Sequence, residues 1–270
     1  MSSSDLKEQI HQLWQQANLQ RRNGQWPQAV DAYSRILKMA PNFAPAYVER
    51  GLLVQEMGDP EKAMQDFEAA LQIEPHYGMA YYGRGWARHA RGDYAGELQD
   101  ALKGLQLDPQ NAGMYYRRIG SANQGLQQFQ EAINAYNEAL RLNSDRDEGT
   151  TFNRGRCHFE MKEYQKALVD FNRCLELDPD WAWAFAARAH VHLVLGNLKQ
   201  AIADCDAAIK YQPNYIESYF TRGLAHEKKS DDKKARMDFE KVIKMTRSPQ
   251  LRQMAEQHLK NLKKSWWPLI

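Results

Sequence analysis

The chain has 270 residues, 43% of them hydrophobic, and its 36 Lys and Arg against 34 Asp and Glu leave a net charge of +2. A mean hydropathy of −0.74, with no apolar run of about 18 residues or more, excludes a transmembrane helix. The opening MSSSDLKEQI lacks the apolar core of a signal peptide, and Ser2 stands where myristoylation requires a glycine. Cys157, Cys174 and Cys205 are odd in number and lack metal-type spacing, which predicts buried free thiols, a reducing compartment and a cytoplasmic location.

Residues 1–9 read as a short polar lead. From Ile10 the chain repeats itself every 34 residues, giving seven repeats: 10–43, 44–77, 78–112, 113–147, 148–181, 182–215 and 216–249. Each is expected to form two helices, A and B, parted by a short turn, as around Gly24, Gly58, Gly92 and Gly196. Repeat three departs from its neighbours. Glu97 replaces the usual Ala, Ala101 the usual aromatic, and Gly96 and Gly104 are expected to interrupt helix B. This is either drift in a tolerant repeat or a functional irregularity that re-aims the array at its middle. After Pro249, a helix over 250–264 sets Leu251, Met254, Leu259 and Leu262 against Arg252, Lys260, Lys263 and Lys264. It reads as a cap, followed by an apolar tail, 265–270.

The repeat has a residue code. Its eighth position is Ala17, Gly51, Gly85, Gly120, Gly155, Ala189 and Gly223, and its twentieth is Ala in every repeat but the third. Its twenty-fourth position is Tyr33, Phe67, Ala101, Tyr136, Phe171, Cys205 and Phe239. Pro41, Pro75, Pro109, Pro179 and Pro213 close five of the repeats. Small residues let two helices approach, an aromatic fills the space beside them, and Pro ends the second helix. The pattern resembles the tetratricopeptide repeat family over residues 10–249. The resemblance implies an all-α fold, a right-handed α-α superhelix in which hairpins stack as a solenoid, with roughly one turn for seven repeats.

Two further columns carry charge. Arg50, Arg84, Arg154, Arg188 and Arg222 occupy the seventh position wherever Asp66, Asp100, Asp170, Asp204 and Asp238 occupy the twenty-third, and repeats one and four lack both. That agreement predicts an Arg–Asp bond within each repeat, with a structural role. His158, His192 and His226 share the eleventh position. Helix pairs stack about 10 Å apart, too far for one metal ion, so these histidines are expected in the core. Hydrolase, nucleotide-binding and metalloprotease motifs are absent, so neither an enzyme nor a cofactor nor a metal is expected.

The resemblance places the inner groove at positions two, five, nine, twelve and thirteen of helix A. Here these include Trp14, Asn18, Val48, Leu52, Met79, Tyr82, Trp86, Arg117, Phe152, Arg156, Phe159, Trp183, His190 and Phe220. So many Trp, Tyr and Arg on one face suggest interface anchors, although some must also pack between neighbouring A helices. Co-chaperones of the family grip a chaperone's terminal carboxylate with Lys and Asn, then Asn, then Lys and Arg on three successive A helices. The corresponding residues, Trp14, Asn18, Glu49, Met79 and Gly83, or Arg117, Ser121, Asn153, Trp183 and Ala187, lack the third helix's cations. A carboxylate-clamp chaperone partner is therefore not expected.

From Ile216 onward, thirteen Lys and Arg face seven Asp and Glu. This basic end suggests an acidic partner, a nucleic acid or an anionic membrane surface; a solvated lysine-rich face explains it equally. Specific nucleic-acid recognition is not expected. Lys263, Lys264, Trp266 and Trp267 fit a weak interfacial membrane contact, a peptide docked on a partner, or a tail folded over the array's end. The expected function is a non-enzymatic scaffold or adaptor that binds a protein or peptide segment in the groove. The alternatives are a membrane-peripheral assembly or targeting factor using the basic end, and a peptide-sensing regulatory subunit. The oligomeric state is not encoded in these features.

Overall fold

The structure, a computed structural model, describes residues 3–143 and 147–265. Among them, fifteen α-helices and a short 3-10 turn at Pro109–Asn111 follow one another without a strand. α1 (Ser3–Arg22) pairs with α2 (Trp26–Met39), α3 (Ala44–Glu56) with α4 (Pro60–Ile73), α5 (Gly78–Ala90) with α6 (Tyr94–Leu107), and α7 (Ala112–Gly125) with α8 (Phe129–Asn143). α9 (Glu148–Glu160) pairs with α10 (Tyr164–Leu177), α11 (Ala182–Val194) with α12 (Leu198–Tyr211), and α13 (Ile216–Lys228) with α14 (Asp232–Met245). α15 (Pro249–Ser265) packs on α14.

The chain falls into two compact units, Met1–Asn143 and Ser144–Ile270. Inside each, a B helix packs against the A helix that follows it, and successive A helices touch one another. That A-helix face carries the cavities described below.

Local chemistry sets the hairpins. Asp59, Asp93, Asp147 and Asp231 cap α4, α6, α9 and α14 by accepting a bond from the backbone N–H three residues on, which satisfies one orphaned helix donor. Gly24, Gly58, Gly92 and Gly196 turn between A and B with positive φ. In the other three repeats Gln127, Lys162 and Ser230 adopt the same left-handed conformation without a glycine. The small–aromatic code is a close approach. A Cβ on Gly51 would lie 2.8 Å from the Phe67 ring, and one on Gly120 2.4 Å from that of Tyr136.

All five Arg–Asp pairs form, each bidentate, with Nη2 to Oδ1 at 2.6–2.7 Å and Nε to Oδ2 at 2.8–3.0 Å. The aspartates are at most 6% exposed, so each pair works where water screens it little. The remaining nitrogen does something the columns alone did not reveal. Arg50 Nη1 donates to Ser34 Oγ at 3.0 Å and Arg188 Nη1 to Asn172 Oδ1 at 2.6 Å, both on the preceding B helix, and Arg222 reaches Asp206 likewise. In these three repeats the arginine thus ties A to B and also ties its repeat to the one before.

Three local expectations are corrected. α6 runs unbroken from Tyr94 to Leu107 through Gly96 and Gly104. Gly104 leaves room for the Tyr115 ring, 2.3 Å from where its Cβ would stand, so packing outweighs the propensity penalty. On α15, Ala255 and Leu262 are buried, but Met254 is 50% exposed and belongs to the outer face. Val48, 1% exposed, packs with Phe67 and Met64 in the core rather than lining a groove. The three cysteines are buried and free. Burial pushes the Cys157 and Cys174 thiols up to about 12 and raises Cys205 as well.

Candidate functional site

In the C-terminal unit a cavity of about 490 Å³ opens across α9, α11 and α13. α9 contributes Phe152, Arg156, Phe159 and Glu160, α11 Trp183 and His190, and α13 Glu217 and Thr221, with Tyr215 just before it. The aromatics are held from behind. Phe152 packs on Phe171 and Trp181, and Phe159 packs on Tyr164 and on His190. Trp183 is 50% exposed, a large apolar surface left facing water at the cavity wall. Arg156, Glu160 and Glu217 are also exposed. His190 is reached by solvent yet crowded by the wall; desolvation lowers its pKa, with Glu160 opposing, so the imidazole is neutral at pH 7.

The N-terminal unit carries a second cavity, of about 340 Å³, lined by Arg21, Trp26, Leu52, Leu53, Glu56, Met79, Tyr82, Trp86 and Met114. Of the residues expected in a groove, Leu52, Met79 and Trp86 lie here, partly exposed. Tyr82, also expected in the groove, is only 7% exposed. It packs edge-on against Tyr115 while Arg117 Nη2 donates to its hydroxyl at 3.2 Å. Burial would raise the Tyr82 phenol, but Arg118 and Arg117 outweigh it and lower its pKa.

The remaining expected residues lie outside these two cavities, although Trp14 and Asn18 line another, of about 520 Å³, with Gln15, Leu19 and Arg22. Trp14 packs edge-on against Tyr33 and Phe43, and Asn18 accepts a bond from the Tyr33 hydroxyl at 3.0 Å. Phe220 is covered by α15 through His258, and Arg117 is engaged with Tyr82. The side chains of Lys263, Lys264, Trp266 and Trp267 lie outside the described residues. The histidine column does not converge. His158 bonds Glu163 at 2.6 Å, His192 lies 3.9 Å from Asp204, and His226 lies 3.8 Å from Asp231. Among the described residues no group of three or more His, Cys, Asp or Glu could hold a metal ion, and no helix is long and apolar enough to cross a membrane.

Sequence reasoning missed Trp26, Met114 and Tyr215. Tyr215 had a signal, since Phe43, Tyr77 and Trp181 occupy the same last position of their repeats. Trp26 opens a B helix, away from the A-helix positions that the resemblance assigns to the groove.

Comparison with known proteins gives a consistent result. Models described as tetratricopeptide repeat match residues 17–81, 114–146, 151–180 and 186–251. The chain is 32% identical over 91 residues to the Hsp70-Hsp90 organizing protein of Triticum aestivum, covering 34% of this chain and 16% of that protein. It is 30% identical over 132 residues to serine/threonine-protein phosphatase T of Aspergillus oryzae, covering 48% and 26%. It therefore spans only a small part of the length of either. Many solved structures share its fold. The APC/C hetero-tetramer Cut9-Hcn1 has a TM-score of 0.74 at 16% identity, covering 87% of this chain and 48% of that one. YrrB, described as a TPR protein with an unusual peptide-binding site, has a TM-score of 0.55 at 23% identity, covering 74% and 99%.

Proposed function

Since the chain belongs to the tetratricopeptide repeat family, we propose that it carries seven repeats over 10–249 and is a non-enzymatic interaction scaffold that holds a segment of another protein on its A-helix face. The observation that carries this reading is the cavity across α9, α11 and α13, whose lining includes Phe152, Phe159 and a half-exposed Trp183. An exposed indole in a concave apolar wall gains most by receiving a partner's side chain, and Trp and Arg are the usual anchors of such contacts. The neighbouring Arg156, Glu160 and Glu217 would fix the segment's direction, because charges at the rim favour register more than affinity. YrrB, with its peptide-binding site, supports the general mode but not a particular ligand. Some curated relatives are named as enzymes, such as phosphatase T, and the chain matches only a quarter of that protein.

A photo-crosslinking residue in place of Ala186, in the cavity wall, should capture the partner segment, which mass spectrometry then identifies. A peptide of that segment should bind the native protein and lose about 2 kcal/mol or more, roughly 30-fold, on Trp183→Ala with Phe159→Ala. Circular dichroism should show the helices retained. Unchanged affinity in a folded double variant would refute the reading.

A further inference from the structure

Glu97 on α6 is fully buried, at a position where the other six repeats carry Ala. Its carboxylate faces two other helices. Oε2 lies 2.7 Å from His89 Nδ1 on α5, and Oε1 lies 3.5 Å from Arg118 Nη1 on α7. The Arg118 guanidinium carbon lies 5.2 Å from the Tyr82 ring centre and 5.1 Å from that of Trp86. Both rings line the cavity of the N-terminal unit beside Met79 and Met114.

Removing a carboxylate from water is costly unless its partners repay it. Neither partner is a full answer here: Oε1 of Glu97 and Nε of Arg118 are buried without a hydrogen bond. Packing does not require the acid either, since Ala serves this column elsewhere. What the acid does have beside it is a guanidinium that lies over two aromatic rings. Those faces attract cations, and here each is already occupied by one. A second cation entering the cavity would find the quadrupole engaged and would meet Arg118 across a poorly screening interior. On the cavity wall Glu56 would favour a cation and Arg21 would oppose one, but Arg21 is paired with Glu49 at 2.9 Å, which leaves Arg118 as the cation set over both rings.

We propose that Glu97 is a positioning residue of this cavity: through Arg118 it fixes Trp86 and Tyr82 and loads their faces with a cation, so that the cavity accepts a neutral apolar side chain and turns away a cationic one. This rests on the reading of the A-helix face as a binding surface, and extends it to the specificity of the N-terminal cavity.

The test uses the full chain with ¹³C-methyl methionine, whose Met79 and Met114 signals report the cavity directly. The probes are N-acetyl-leucinamide and tetramethylammonium chloride, with thermal melting followed in parallel. In the native protein, leucinamide should shift both methyl signals saturably and tetramethylammonium should leave them in place. Glu97→Gln keeps the shape and removes the charge. It should weaken leucinamide at least threefold and let tetramethylammonium shift the same signals. Arg118→Met, which removes the cation and keeps apolar volume, should likewise admit tetramethylammonium, and it carries the test if Glu97→Gln does not fold. If both variants only melt lower, with both probes behaving as in the native protein, Glu97 is merely structural and the proposal falls. If neither probe moves Met79 or Met114 in the native protein, the cavity itself binds nothing, and the binding reading of this face fails before Glu97 is reached.

Discussion

Lys162, Gln127 and Ser230 hold φ near 62°, 60° and 59°, a region that an L side chain enters at a cost of roughly 1–2 kcal/mol. Glycine occupies the same turn in four other repeats, though it loses more backbone entropy on folding. Lys162→Gly should therefore raise stability by about 0.5–1 kcal/mol net, read as a higher urea midpoint with an unchanged slope. A lower midpoint would show that the lysine makes compensating contacts. At this scale the sequence was informative where two residues vary together. Arg and Asp appear and vanish in the same repeats, so their bond could be read without coordinates. The bond from Arg50, Arg188 and Arg222 to the preceding B helix could not, because its acceptor, although always at the twenty-fifth position, changes from Ser34 to Asn172 to Asp206, so no one residue type marks it.

Helix pairs distinguish glycines that the repeat code treats as equal. Gly85 and Gly120 share the eighth position, yet a Cβ at Gly85 would meet its nearest atoms at 3.5 Å, whereas at Gly120 it would lie 2.4 Å from the Tyr136 ring. The difference is Ala101, which leaves repeat three without the aromatic. Gly85→Ala should gain up to about 1 kcal/mol from helix propensity, and Gly120→Ala should lose about 1–3 kcal/mol through overpacking. Chemical denaturation of the two variants decides it, and equal effects would contradict this account of the packing. The same element shows why an expected break in α6 is absent. Gly104 weakens the isolated helix but admits Tyr115, and the packed ring recovers more than the propensity loses.

On the scale of the whole molecule, the C-terminal unit is closed by α15. Ala255 and Leu262 are buried on it, and His258 stacks on Phe239 and bonds Glu227 at 2.7 Å. Each hairpin buries its apolar side only against a neighbour, so removing residues 249–270 uncovers Phe220, Phe239 and Val242. Such a truncation should cost about 3 kcal/mol or more from exposed apolar area, with a lower melting temperature and new binding of a hydrophobic dye. A variant melting like the full chain would mean that α15 contributes little to the unit.

The sequence alone determined the repeat frame, the all-α class and the Arg–Asp ladder. Each rests on short-range periodicity or on the chemistry of two residue types that occur together. Only the tertiary structure decided which aromatics are available to a partner. Positions on one helix face look alike in sequence, but their exposure is set by what the next helix brings against them. Val48 is sealed by Phe67 and Tyr82 by Tyr115 and two arginines, Phe220 is partly covered by α15, and Trp183 remains half exposed. The same dependence hid the role of Glu97. One acid in an Ala column reads as drift until helices from two repeats place His89 and Arg118 against it.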